Sequence, residues 1–151
     1  MIKRLETASK DLSARLAASE PMQQRRGSIV ACELAIQATG LDIPVISESL
    51  EQLRQDGKLS QERIAELNKL ANQLDEKYFD IQDALGDNTE NSKVLQVESL
   101  QFFGQARAVS ALEFAGAENT FDAAMESIYE ASAIFEDRNG FFSKIEKTLL
   151  S

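Results

Sequence analysis

The chain has no histidine among its 151 residues. That absence removes the usual general base, the usual triad member and the commonest metal ligand together. One cysteine is present, so no internal disulfide can form, and Cys32, between Ala31 and Glu33 in an apolar run, reads as a small core residue rather than a nucleophile. The chain also lacks a glycine-rich phosphate loop, a serine elbow and a Cys-x-x-Cys pair. Its uncharged apolar runs are far too short to cross a bilayer. Residues 1–16 mix Lys3, Arg4, Glu6, Lys10, Asp11 and Arg15 with their apolar positions, unlike a secretory leader, and a cytosolic protein is expected. Excess positive charge is missing too: 16 Lys and Arg against 25 Asp and Glu leave a net charge of −9. Phosphate binding needs clustered cations, so nucleic acid and anionic membrane are disfavoured and basic partners favoured. No cofactor, metal or catalytic residue is expected.

Strict alternation and dense β-branched runs are absent as well. What remains is helical periodicity, and it predicts an all-α chain, a single domain over 1–151 built as a bundle of six or seven helices. Residues 2–18 place Ile2, Leu5, Leu12 and Leu16 at helical spacing with Ser9 in the gap, and Pro21 restarts the chain. The second helix, 21–39, is apolar around most of its circumference and should be central, with Gly40 closing it. Asp42 can cap a third helix, with Pro44 in its first turn and Asp56-Gly57 at its end. Ser60 can cap a fourth, whose Ile64, Leu67, Ala71, Leu74, Tyr78, Ile81 and Leu85 form a narrow seam suited to a neighbouring helix. A polar loop at 87–92 leads to a second central helix, 93–115, in which Gly104 marks a close helix approach. Asn119 or Thr120 caps the next helix, and Asn139-Gly140 separates it from a short last one. An offset of 80 aligns Ala31, Glu33, Ala35, Asp42 and Ser47 with Ala111, Glu113, Ala115, Asp122 and Ser127, which suggests two related helical halves.

Charge is distributed unevenly. Between Arg107 and Arg138 lie seven acids and no lysine or arginine. Asp122, Glu126 and Glu130 fall on one side of the helix there, opposite a stripe of Phe121, Ala124, Met125, Ile128 and Phe135. Like charges at i,i+4 cost a few tenths of a kcal/mol per pair, a cost that a basic partner would reverse. A second acidic run, Asp75, Glu76, Asp80, Asp83, Asp87 and Glu90, is relieved only by Lys77 and lacks the alternate spacing of a calcium loop. It reads either as a solvated face or as part of one anionic surface with the first. Glu33 and Glu113 stand nearly alone in apolar helices. Facing one cavity, they would form an acid/base pair; otherwise each reaches a solvated rim or an arginine.

A small, acidic, histidine-free, all-helical chain of this pattern, at 30–38 with 45–53 and at 109–115 with 121–135, resembles the small bacterial immunity proteins that neutralise toxins, including those of contact-dependent inhibition systems. The resemblance implies a protein that binds a cognate, basic toxin such as a nuclease and blocks it, as a monomer or dimer. On it, Asp122, Glu126 and Glu130, with Asp80 and Asp83, are the expected partner-binding residues. The alternative is an adaptor or homo-oligomer pairing through the 64–85 seam, and a third reading is an enzyme using Glu33 and Glu113.

Overall fold

The structure, a computed structural model, describes residues 3–86 and 92–150. Ile2, and the polar loop with Asp87 and Glu90, lie outside them. Among the described residues there are eight helices and no strand: α1 (Arg4–Ala8), α2 (Lys10–Ala17), α3 (Pro21–Thr39), α4 (Pro44–Asp56), α5 (Gln61–Leu85), α6 (Ser92–Ala115), α7 (Thr120–Ser132) and α8 (Arg138–Leu150). The all-α expectation holds. The count exceeds six or seven because the first predicted helix breaks at Ser9, whose backbone is extended and whose hydroxyl accepts from the Leu12 N–H at 3.2 Å, capping α2.

Other helix ends follow their local chemistry. Pro21 opens α3, while the Gln23 side chain reaches back to accept from the Glu20 N–H. Gly40, at φ 65°, closes that helix in the left-handed conformation that a side chain would resist. Ser60 and Asn119 cap α5 and α7 by accepting from Arg63 and Asp122 backbone N–H groups. Two expected boundaries differ. Ile43 occupies the cap position of α4, so Asp42 makes no cap. Asn139-Gly140 lies inside the first turn of α8, because Asp137 accepts from the Gly140 N–H at 2.9 Å and starts the helix earlier.

As the sequence suggested, α3 and α6 form the centre, packed on each other and on most of the remaining helices. Their shared core is largely small: Ala31, Cys32, Ala35, Ala106, Ala108, Ala111 and Ala115 are buried. Small side chains let helix axes approach, and larger ones from the surrounding helices, Leu12, Leu53, Met125, Ile128 and Ile145, fill the space around them. At Gly104 a Cβ would stand 3.3 Å from Cγ2 of Thr39, the last residue of α3, which is the close approach the glycine implied. Cys32 is buried, and burial, helped by the Glu33 charge, pushes its thiol far above the ordinary range, as suits a core residue.

The two halves related by the offset of 80 are packed differently. α7 lies broadly on both α3 and α6, whereas α4 touches each of them lightly. α5 follows a third pattern. It packs extensively on α6, only lightly on α4, and the two long helices form an antiparallel hairpin. Its seam is therefore already in use: Leu67, Ala71 and Leu74 are buried, Tyr78 meets the Phe103 ring at 5.5 Å, and Gln82 donates to Ser99 Oγ at 2.5 Å. The face expected to pair with a second copy is thus occupied by the chain's own α6.

Candidate functional site

The acidic face of α7 is the first place to look, and it is not displayed outward. α1 crosses it, held by Leu5, which is fully buried. From that short helix Arg4 donates to Glu126 at 2.6 Å and to Glu130 at 3.1 Å. Lys3, just before it, stands 3.2 Å from Asp122. On the other side Arg107 of α6 donates to Glu130 at 3.0 Å and grips both oxygens of Asp75 on α5 at 3.0 and 2.9 Å. The result is one alternating chain of charge, Asp75, Arg107, Glu130, Arg4 and Glu126, that ties α5, α6, α7 and α1 together.

The geometry explains why both arginines are needed. The Glu130 side chain is only 8% exposed, and a carboxylate so far from water is tolerated only when its oxygens are hydrogen-bonded to cations. Each oxygen has one. Around Arg4, burial works against the charge, but the hydrogen bonds and charges of Glu126 and Glu130 more than offset it, so its pKa rises. The Arg4 guanidinium also lies 4.4 Å from the centre of the Tyr129 ring, stacked on a face that attracts it. The expectation of an open, unneutralised surface at Asp122, Glu126 and Glu130 is therefore corrected. Two of their cations, Lys3 and Arg4, come from the beginning of the chain, more than a hundred residues away, and the third, Arg107, from α6.

Asp80 and Asp83 have a different setting. Both are exposed on α5, as is Glu76 one turn before Asp80, and Glu98 is exposed on the partnering α6. Among the described residues no cation pairs with any of the four. Lys77, the cation nearest in sequence, lies over the Phe102 ring at 5.3 Å. Asp75 begins the same acidic run in sequence but belongs to the internal network. Among its described members the run thus divides at the first, Asp75 being structural and Glu76, Asp80 and Asp83 facing solvent.

Glu33 and Glu113 turn to different helices. Glu33 is exposed and paired with Arg54 of α4 at 3.2 Å. Glu113 is half-buried and accepts from Asn68 of α5 at 3.4 Å; burial raises its pKa, the Asn68 hydrogen bond lowers it, and the Glu130 charge raises it, with a net rise. Among the described residues no group of three or more His, Cys, Asp or Glu side chains could hold a metal ion. Arg25 of α3 pairs with neither acid and donates to the Ala115 and Ala117 carbonyls, where the end of α6 leaves oxygens without helical partners.

One further feature escaped the sequence reading. Among the described residues seven large apolar side chains are exposed, and four of them, Phe79, Val94, Val97 and Leu100, belong to the α5–α6 hairpin, each 60 to 70% exposed. The signal was present in the three-residue spacing of Val94, Val97 and Leu100, but α6 is apolar on so many sides that periodicity could not separate its covered face from its open one. No helix among the described residues is long and apolar enough to cross a membrane. Comparisons with protein-family models, with curated proteins and with solved structures found no match.

Proposed function

We propose that this is a non-catalytic binding protein that occupies a basic protein partner, a bacterial toxin in the reading its sequence resemblance implies, through the carboxylates of the α5–α6 hairpin. The observation that carries this is the exposure of Asp80 and Asp83, with no described cation paired to either. Carboxylates held in this way attract a cationic surface at a distance and speed its encounter, an effect that fades as salt screens it. The α7 carboxylates have a structural role instead, since Lys3, Arg4 and Arg107 already pair with them. No cofactor enters this function.

The test uses the reading frame next to this one, because an immunity gene is expected beside its toxin. Its product is expressed in a bacterial host with and without this chain. Growth arrest relieved by the chain supports the function. Arrest that continues despite a folded, abundant chain, or a neighbouring product that does no harm, counts against it.

A further inference from the structure

The outer face of α6 is covered along part of its length and bare along the rest. Taking about 100° per residue, the side of α6 that meets α5 is set by Ser99 and Phe103, which contact Gln82 and Tyr78. Val97 and Gly104 then lie about 130° round from that side, within about 20° of one line. At Gly104 that line is covered by the end of α3, through Thr39. There α3 stops at Gly40 and the chain turns away toward α4. Beyond this point Val97, flanked by Val94 and Leu100, is exposed, with no described helix over it. The same count puts Phe79 of α5 and Leu100 on one flank of the hairpin, so the apolar surface continues from α6 across onto α5.

From this we infer that the bare stretch of α6 is a docking face for an amphipathic helix of a cationic protein partner, lying along Val94, Val97 and Leu100 where α3 leaves off, with Lys or Arg side chains reaching Glu98, one turn from Val94, and Asp83, one turn from Phe79. The inference rests on the binding function proposed above and supplies the part of it that charge alone does not. Charge also selects the occupant. A second copy of this chain would bring the same unpaired carboxylates up to the same apolar strip, setting like charges together as the strip lost its water. A helix with an apolar stripe bordered by cations meets both features at once.

The probe is a synthetic 18-residue peptide with leucines at helical spacing and lysines elsewhere, set against a scrambled peptide of the same composition. Binding to the full chain is measured by calorimetry at low and high salt, with circular dichroism to show that each variant is folded. The patterned peptide is expected to bind and the scrambled one to bind much more weakly. The double variant Val97→Asp, Leu100→Asp should weaken binding by about tenfold or more, since apolar anchors dominate such contacts. Asp83→Lys with Glu98→Lys should weaken it by about fivefold and flatten its salt dependence. Met22→Asp, which alters an apolar side chain exposed elsewhere, should leave it unchanged. Equal binding of the scrambled peptide, unchanged binding by the Val97/Leu100 variant, or equal weakening by Met22→Asp would overturn the inference. So would light scattering that finds a dimer dissociated by the Val97/Leu100 variant, which would make a second copy the occupant. Peptide binding without relief of toxicity leaves this face standing and removes the toxin reading. Relief of toxicity by the Val97/Leu100 variant as fully as by the unaltered chain does the reverse.

Discussion

The helix α7 and the α5–α6 hairpin carry similar acidic runs at similar helical spacing, yet they end in opposite circumstances. On α7, Asp122, Glu126 and Glu130 are met by Lys3, Arg4 and Arg107. On the hairpin, Asp80 and Asp83 have no described cation beside them, and the same two helices expose Phe79, Val97 and Leu100. The first arrangement resolves charge inside the molecule and uses it to join four helices. The second leaves charge and apolar surface together at the outside, a combination that costs solubility unless something is to be bound there. What separates them is the identity of the neighbouring element, which local spacing does not encode.

The contrast is broken most forcefully at Glu130. Glu130→Ala removes the carboxylate that joins Arg4 to Arg107, leaving Arg4 only Glu126 and Arg107 only Asp75, and urea unfolding should show a loss of about 2 kcal/mol. Asp80→Ala and Asp83→Ala, by comparison, should leave stability within about 0.5 kcal/mol of the unaltered chain, as exposed, unpaired side chains do. A large loss at Asp83, or none at Glu130, would mean that the two regions had been assigned the wrong way round.

Arg4→Ala is the next largest change. Its guanidinium is nearly half exposed, so screening by water limits the loss to about 1 kcal/mol in thermal or urea unfolding. Its second effect is diagnostic. Glu126 and one oxygen of Glu130 lose the cation that meets them on that side, so α7 should bind a polylysine probe more tightly than it does in the unaltered chain. Binding confined to the hairpin in both forms, followed by chemical-shift changes in labelled protein, would show that α1 does more to cover α7 than its arginine does.

The smallest effect sharpens the boundary of the α7 network. Glu113 has its pKa raised by burial, with Asn68 lowering it and the Glu130 charge raising it. A carboxyl raised above its unfolded value binds more protons in the folded state, so stability falls as pH rises from its ordinary value of 4.5 through the higher folded one. Glu113→Gln should remove that segment of the pH dependence and make the chain slightly more stable at neutral pH. An unaltered pH profile, measured by urea unfolding from pH 4 to 7, would show that the Glu113 side chain is better hydrated than its setting suggests.

Much of the architecture could be read without coordinates, and the reasons are local. Gly40, Ser60 and Asn119 each terminate or cap a helix by chemistry confined to a few residues, and the apolar circumference of α3 and α6 foretold their central position. Ser9 was visible only as a gap in a stripe; that it caps a new helix depends on the extended backbone it adopts there. The surface was far less legible. Arg4 and Glu130 are 126 positions apart, and no periodicity links them. Asp75 and Asp80 belong to the same acidic run, yet one faces Arg107 and the other solvent, because α6 lies against only one side of α5. Charge patterning located the helices that carry acids, and packing decided which of those acids remain available.

The most direct trial is growth of a host expressing the neighbouring gene's product together with three forms of this chain at equal, folded abundance: unaltered, Asp80→Lys with Asp83→Lys, and Asp122→Lys. Relief of arrest by the unaltered and Asp122→Lys chains, and its loss in the Asp80/Asp83 variant, is the expected result. Relief that survives in the Asp80/Asp83 variant and disappears with Asp122→Lys would contradict the assignment of binding to the hairpin.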